Sequence, residues 1–364
     1  MKNFLQSMVY IGTYADAESE SIFLYELNPQ TGELNFLKGF KGGKKPSYMT
    51  FDKQYHYLYV VNETDDYQGK DSGIGCSFSV GQQTGYLTLL NRVPTLGGLP
   101  VHITISEDSK IVFIANYKTG SIAVFPVQEN GRVGGASDLI QHEGSGPNKD
   151  RQESGHAHFI LFSPDNYFVF AVDLGMDKVL RYRLNYENGT PKLTDQTTAF
   201  ITPPGTGPRQ ICFHPNGHYA YLIHELKSVV TALSYDSGKG IFSEIQTIAT
   251  IPENFTEENK CGGIKVSADG KYLYGSNRGH NSIVVFIIDE NNGKLTYVEN
   301  VPSGGVWPRE FTIDLTGNTL LAANQCSDNI VTFKIDKATG RLTATGHQAK
   351  IEKPVFLQVI PAFE

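Results

Sequence analysis

Apolar positions in this chain come in short runs, such as Tyr57-Leu58-Tyr59-Val60-Val61, Tyr272-Leu273-Tyr274 and Ile283-Val284-Val285-Phe286-Ile287, each bounded by turn-forming residues. Such runs are too short for helices and predict β-strands. They also recur in register. Pro46 stands 16 positions before Asn62, and the same spacing separates Pro100 from Asn116, Ala157 from Asp173, Pro208 from His224, Cys261 from Asn277 and Pro308 from Asn324. Midway lies a turn, seen in Asn216-Gly217, Asp269-Gly270 and Thr316-Gly317, where glycine supplies a positive φ. Each copy therefore reads as a hairpin. Two less regular strands follow it, as in Ser282–Ile287 and Lys294–Tyr297 around Asn292-Gly293. Four antiparallel strands per unit, repeating every ~46–57 residues, predict propeller blades.

The two ends supply one more copy. Pro354-Val355-Phe356-Leu357-Gln358-Val359 begins a seventh first strand, and Val9-Tyr10-Ile11-Gly12-Thr13-Tyr14 matches a second strand. Ser21 to Leu27 and Glu33 to Leu37 match the third and fourth. The expected fold is all-β: one seven-bladed β-propeller over residues 1–364, closed by strands from both ends in a single blade. Closure of this kind removes exposed strand edges.

Blade geometry then says where chemistry can gather. The start of each first strand and the end of each second strand fall on the same rim. The start column reads Ser47, Val101, His158, Arg209, Gly262, Arg309 and Val355, with His102 one position later. The end column holds Asn62-Glu63, Asn116-Tyr117, Asp173-Leu174, His224-Glu225, Asn277-Arg278 and Asn324-Gln325. The recurring asparagines are expected to bond backbone at strand ends, and Asp173 to share that role. The arginines differ, because a cation near a channel must be paired or bind an anion. Arg209 and Glu225, of one blade, can pair, with or without ligand contact. Arg278 and Arg309 have fewer acidic neighbours in the register and point to a ligand. His156 and His158 form an HxH pair that raises metal binding, but no acidic or cysteine residue completes a ligand set at the right spacing. No metal or organic cofactor is expected.

Composition narrows the partners. Gly 37, Tyr 19 and Phe 21 against Met 4 favour strands and turns. A net charge of −7 gives no general attraction to nucleic acid or anionic membranes. Neither is expected as a partner, and an anion site must be a local basic cluster. Cys76, Cys212, Cys261 and Cys326 lie far apart without CxxC spacing, so free thiols are expected rather than zinc or disulfides. The start MKNFLQSMVYIGTY lacks a signal-peptide pattern, and no apolar run reaches membrane-helix length. A soluble, cytoplasmic protein is the expectation; the oligomeric state is not written in these features.

The segments Tyr10-Ile11-Gly12-Thr13-Tyr14, Tyr59-Val60-Val61-Asn62-Glu63, Gly155-His156-Ala157-His158, Val172-Asp173-Leu174-Gly175, Gly207-Pro208-Arg209, His224-Glu225-Leu226 and Ser276-Asn277-Arg278-Gly279-His280 resemble the lactonase family of seven-bladed propellers. That family is typified by 6-phosphogluconolactonase and related to the carboxymuconate cyclases. The resemblance runs along essentially the whole chain. It implies a catalytic set at His158, Arg209, Glu225 and Arg278. The remaining polar residues of the two columns and their neighbours, His102, Arg309, Glu63, Asn324 and His156, are expected to bind the substrate. Two positions depart from the family pattern. His224 replaces an asparagine before Glu225, and Cys261-Gly262-Gly263 stands where many relatives carry an acidic residue.

This implied activity agrees with the residue chemistry. Lactone hydrolysis passes through a tetrahedral oxyanion, which Arg209 or Arg278 could stabilise while His158 or Glu225 activates water. A sugar phosphate would need further cations, which Arg309 and His102 could supply. There is no G-x-S-x-G elbow for a serine nucleophile. The leading expectation is hydrolysis of an anionic sugar lactone, foremost 6-phosphogluconolactone of the pentose phosphate route. A lactone-forming or -opening cycloisomerase, or a non-catalytic binding propeller with an exposed apolar patch, are the alternatives.

Overall fold

The computed structural model describes residues 6–363. Among them no helix occurs, and the strands assemble into seven four-stranded sheets. This is the seven-bladed, four-stranded architecture expected from the repeat. The first strands are Pro46–Phe51, Pro100–Ile105, Ala157–Phe162, Pro208–Phe213, Lys260–Val266, Pro308–Ile313 and Pro354–Pro361. The last of these pairs antiparallel with Ser7–Thr13, with Val359 opposite Val9 and Pro354 opposite Thr13. Ile22–Leu27 and Leu34–Phe40 complete that sheet. The two ends of the chain therefore share one blade, as the split seventh copy requires.

By packing, the chain parts into two compact units. One comprises Met1–Gly42, Gln210–Ser234 and Ser243–Glu364; the other comprises Gly43–Arg209 and Tyr235–Phe242. In each, the apolar faces of consecutive sheets meet. Within the second unit, Tyr59, Val61, Ile103, Ile114 and Phe125 form one such core, and Phe113, Ile122, Ile160, Ala171 and Tyr182 form the next. Within the first, Tyr221, Val230, Leu273 and Phe286 pack together, as do Tyr274, Phe311, Leu320 and Phe333, and then Val9, Leu27, Leu321, Ile330 and Leu357. Alternation along each strand sends one set of side chains into one core and the other set into its neighbour. That is why second strands such as Ile111–Asn116 and Thr319–Asn324 are buried throughout. First strands lie side by side: Pro46–Phe51 next to Pro100–Ile105 in one unit, and Lys260–Val266 next to Pro308–Ile313 in the other.

A shared irregularity marks the start of these first strands. Pairing skips a residue between Pro46 and Tyr48, between Pro100 and His102, between Ala157 and Phe159, and between Pro308 and Glu310. The bulged residues are Ser47, Val101, His158 and Arg309, four members of the start column. A bulge frees one side chain from the pleat and re-aims it. The end column is anchored differently. The Nδ2 groups of Asn62, Asn116, Asn277 and Asn324 donate to the carbonyls of Lys44, Thr95, Thr250 and Ser303. They tie each second strand to the segment that leads into its blade.

All four cysteines are free. Burial pushes the Cys76 thiol up to about 11 and the Cys212 thiol up to about 12, so both stay protonated and inert at neutral pH.

Candidate active site

In the unit containing Gly43–Arg209, the bulged His158 is buried, and its Nε2 meets Arg209 Nη1 at 2.5 Å. A guanidinium can only donate, so Nε2 must accept and is unprotonated. Tyr117, which follows the second strand Ile111–Asn116, holds the HxH pair. Its ring stacks on His156 at 4.4 Å and stands edge-on to His158 at 5.6 Å. His156 Nδ1 donates to the Tyr117 carbonyl at 2.8 Å, and its Nε2 lies 3.3 Å from Glu153 Oε2. Both imidazoles are thus turned toward Tyr117, with separate polar partners.

The backbone beneath this pair is fixed by Asp173. One of its carboxylate oxygens accepts from the amides of His156 and Met176, and the other takes His142 Nδ1 at 2.6 Å. The His142 Nε2 in turn meets the Tyr182 hydroxyl at 2.9 Å. Asp173 does share the anchoring role of the asparagines, but as an acceptor it needs a donor, which His142 provides. Gly175 completes the cradle. A Cβ there would lie 1.9 Å from the Ser154 carbonyl oxygen, so the family-like Asp173-Leu174-Gly175 segment is shaped by close backbone approach.

His102 is buried with its ring packed against Tyr48 at 4.2 Å and Phe159 at 3.8 Å, and its Nδ1 accepts from the Ile160 amide. Glu63 is half-buried, and its amide donates to the Lys45 carbonyl.

In the other unit, Arg278 Nη2 and Glu225 Oε2 form a 2.8 Å ion pair with both side chains about 4% exposed. Arg278 also donates through Nε to the Lys260 carbonyl and through Nη2 to the Cys261 carbonyl. Those contacts fix the plane of the guanidinium. Arg278 was expected to have few acidic neighbours; its partner comes from the end column of another sheet. The guanidinium lies 5.5 Å from the centre of the Trp307 ring, and Lys260 Nζ lies 6.0 Å from it. Arg309 is half-buried with its guanidinium 4.9 Å from the Tyr14 ring. Asn324 is fully buried in its anchoring role. Among the described residues, no group of three His, Cys, Asp or Glu side chains is arranged to hold a metal ion.

The family model described as "Lactonase, 7-bladed beta-propeller" matches residues 8–359. This chain belongs to that family. A 6-phosphogluconolactonase of Bacillus subtilis (strain 168) is 37% identical over 314 residues, spanning 86% of this chain and 87% of that protein. The solved structure of a periplasmic gluconolactonase from Pseudomonas aeruginosa superposes with a TM-score of 0.90 at 33% identity, covering 98% of this chain and 99% of the other. A Bacteroides fragilis structure at 35% identity also gives a TM-score of 0.90, over 99% of both chains.

Both departures from the lactonase pattern have structural explanations. A Cβ on Gly263 would lie 2.1 Å from Glu310 Oε1. The carboxylate of Glu310, only 2% exposed, occupies that space, accepting from Gln210 Nε2 at 2.9 Å with Lys265 Nζ 3.7 Å away. An acidic group is therefore present over the glycines, supplied by the next first strand.

His224 points into the core, where its Nε2 meets Thr231 Oγ1 at 2.9 Å. Burial pushes its pKa down to about 3, so it stays neutral in the folded lactonase. The unfolded chain binds a proton near the ordinary histidine value, ~6.5. Folding stability is therefore complete above that pH and falls as pH drops toward 3, with a slope of up to about 1.4 kcal/mol per pH unit from this group. His224→Asn, which installs the residue found at four equivalent positions, should flatten the urea-unfolding free energy between pH 6.5 and 4. An unchanged slope would assign the acid sensitivity elsewhere.

Proposed function

We propose that this chain hydrolyses a sugar lactone, 6-phosphogluconolactone foremost, with His158, Arg209, Glu225 and Arg278 as its working groups. The observation that carries the reading is the His158–Arg209 contact inside a fold matched along its length to the lactonases. The B. subtilis relative bears the name of the phosphorylated-lactone enzyme.

The chemistry follows from protonation states. A general base must have its accepting nitrogen free of a proton, and His158 Nε2 is in that state because Arg209 donates to it. When the lactone carbonyl draws the Arg209 guanidinium to itself, Nε2 becomes available to a water. Water attacks the carbonyl carbon, His158 takes its proton, and the carbonyl oxygen becomes an oxyanion stabilised by the guanidinium. Collapse breaks the ring C–O bond, and the imidazolium returns the proton to the ring oxygen as it leaves. The product is an open hydroxy acid, whose carboxyl group then releases a proton to solvent. Arg278, oriented by Glu225 and two carbonyls, is the second cation suited to developing charge. Arg309 serves in binding.

A cytoplasmic location goes with a phosphorylated substrate and free thiols. The test is acid release from freshly prepared 6-phosphogluconolactone and from glucono-1,5-lactone in a pH-stat, corrected for spontaneous opening. Enzyme-dependent acid release is expected. Conversion of a muconate lactone without acid release, or no turnover of any lactone, would replace the hydrolase reading.

A further inference from the structure

The hydrolase reading makes His158 the group that moves the proton, and the sheet that carries it is anchored differently from its neighbours. At the end of its second strand, Asp173 stands where four other sheets have Asn62, Asn116, Asn277 and Asn324. At the end of the segment leading into it, His142 stands where Thr95, Thr202, Thr250 and Ser303 stand in others, each held by the same kind of amide-to-carbonyl bond. Both exchanges serve the one sheet whose first strand bears His158. We propose that Asp173 and His142 are positioning residues, a buried pair that sets the backbone path of His156-Ala157-His158 and so aims the imidazole that works on the lactone. The kinetic half of this inference rests on the hydrolase reading; the structural half rests on geometry.

The backbone shows what the exchange does. The residue just before the first strand has a positive φ, between 43° and 64°, at Lys45, Leu99, Gly207, Trp307 and Lys353. His156 holds the same place without one. In four of those sheets the amide of this residue turns away from the end column. Leu99 donates to the Thr64 carbonyl, and Gly207, Trp307 and Lys353 donate to the side chains of Asp177, Asn281 and Asp328. The His156 amide instead donates to Asp173 Oδ1 at 2.8 Å, and the Met176 amide reaches the same oxygen at 2.9 Å. A carboxylate accepts more strongly than an asparagine amide, whose Nδ2 must also find a carbonyl. His142 makes that carboxylate tolerable in a fully buried place, where an unpaired charge would be costly. Its Nδ1 donates to Asp173 Oδ2 at 2.6 Å and its Nε2 meets the Tyr182 hydroxyl at 2.9 Å, so the ring is held at both nitrogens. Two glycines let the chain close on the pair. A Cβ on Gly155 would lie 3.1 Å from His142 Cβ and 3.3 Å from Asp173 Oδ2, and one on Gly175 would lie 2.9 Å from the His156 amide nitrogen.

The test joins kinetics to side-chain NMR. Asp173→Asn combined with His142→Thr installs the anchor of the other sheets and strands no charge. This double variant should melt like the unmodified protein, yet lower kcat by about 10- to 100-fold through a misplaced base while KM stays within about 3-fold. The imidazole nitrogen signals of His156 and His158, assigned through His156→Gln and His158→Gln, should shift in it. His142→Asn keeps an N–H donor for Asp173 and should hold kcat within about 3-fold of the unmodified protein. The proposal is overturned if the double variant keeps its kcat or leaves both imidazole signals in place, if it changes KM instead of kcat, or if His142→Asn is equally impaired. If the double variant does not fold, Asp173→Asn alone is judged by the same readouts. The spectra need no substrate, so failure to open any lactone would refute the hydrolase reading and still leave the positioning of the two imidazoles decided.

Discussion

Glu225→Ala should destabilise the fold by about 3–5 kcal/mol, because it strands the Arg278 charge in a site where both side chains are buried. The carbonyls of Lys260 and Cys261 keep the guanidinium where it is, so it cannot swing out to water without losing those bonds too. Replacing both members together, Glu225→Leu with Arg278→Met, should recover most of the loss, since a buried ion pair is worth little against apolar packing. Urea unfolding of the unmodified protein and these two variants at pH 7 decides the matter. A loss below 1 kcal/mol for the single change would mean that water reaches the pair. The same reasoning makes Arg278→Ala a poor probe of chemistry, because slow turnover and weakened folding would arrive together. Arg278→Lys keeps the charge and is the better variant for kinetics.

His158→Gln should lower kcat by about 10²–10⁴ with native melting behaviour, the usual range for lost general acid–base help. Glutamine can still accept from Arg209 through its amide oxygen but cannot carry a proton away from water. The change lies at a bulge rather than in the alternating strand core, so packing is largely spared. Steady-state kinetics on whichever lactone the wild type opens gives the answer, and a kcat within tenfold of wild type would remove His158 from proton transfer. Arg209→Ala is less selective, since it removes both the proposed oxyanion donor and the group that donates to the His158 nitrogen.

Much of this architecture was readable from spacing. Sixteen-residue intervals between markers fix hairpin length, and hairpin length in a repeat fixes which side chains share a rim. The asparagine anchors were readable as well, because an amide at a strand end has few other uses. What spacing could not reveal was direction and partnership. The bulges at Ser47, Val101, His158 and Arg309 have no marker of their own beyond the residue before them. The Glu225–Arg278 pair joins side chains 53 positions apart, on different sheets. The Asp173–His142–Tyr182 chain is built from residues in three different strands or loops, and only the odd Asp among asparagines hinted that a donor was needed. Glu310 over Gly263 belongs to the same class: the space over a glycine in one strand is filled by a carboxylate from another.

Trp307 is the sole tryptophan, and it holds a left-handed backbone conformation, φ +64°, immediately before Pro308. Its amide donates to Asn281 Oδ1 and its carbonyl accepts from the Gln325 amide, so the indole is presented from a pinned position beside the Arg278 guanidinium. All indole emission from this protein therefore originates at one place, next to a cation whose surroundings would change if, as proposed, it takes up a ligand. The molecule carries its own optical probe of that arginine, readable in a stopped-flow cell with no label attached and with substrates that produce no colour of their own.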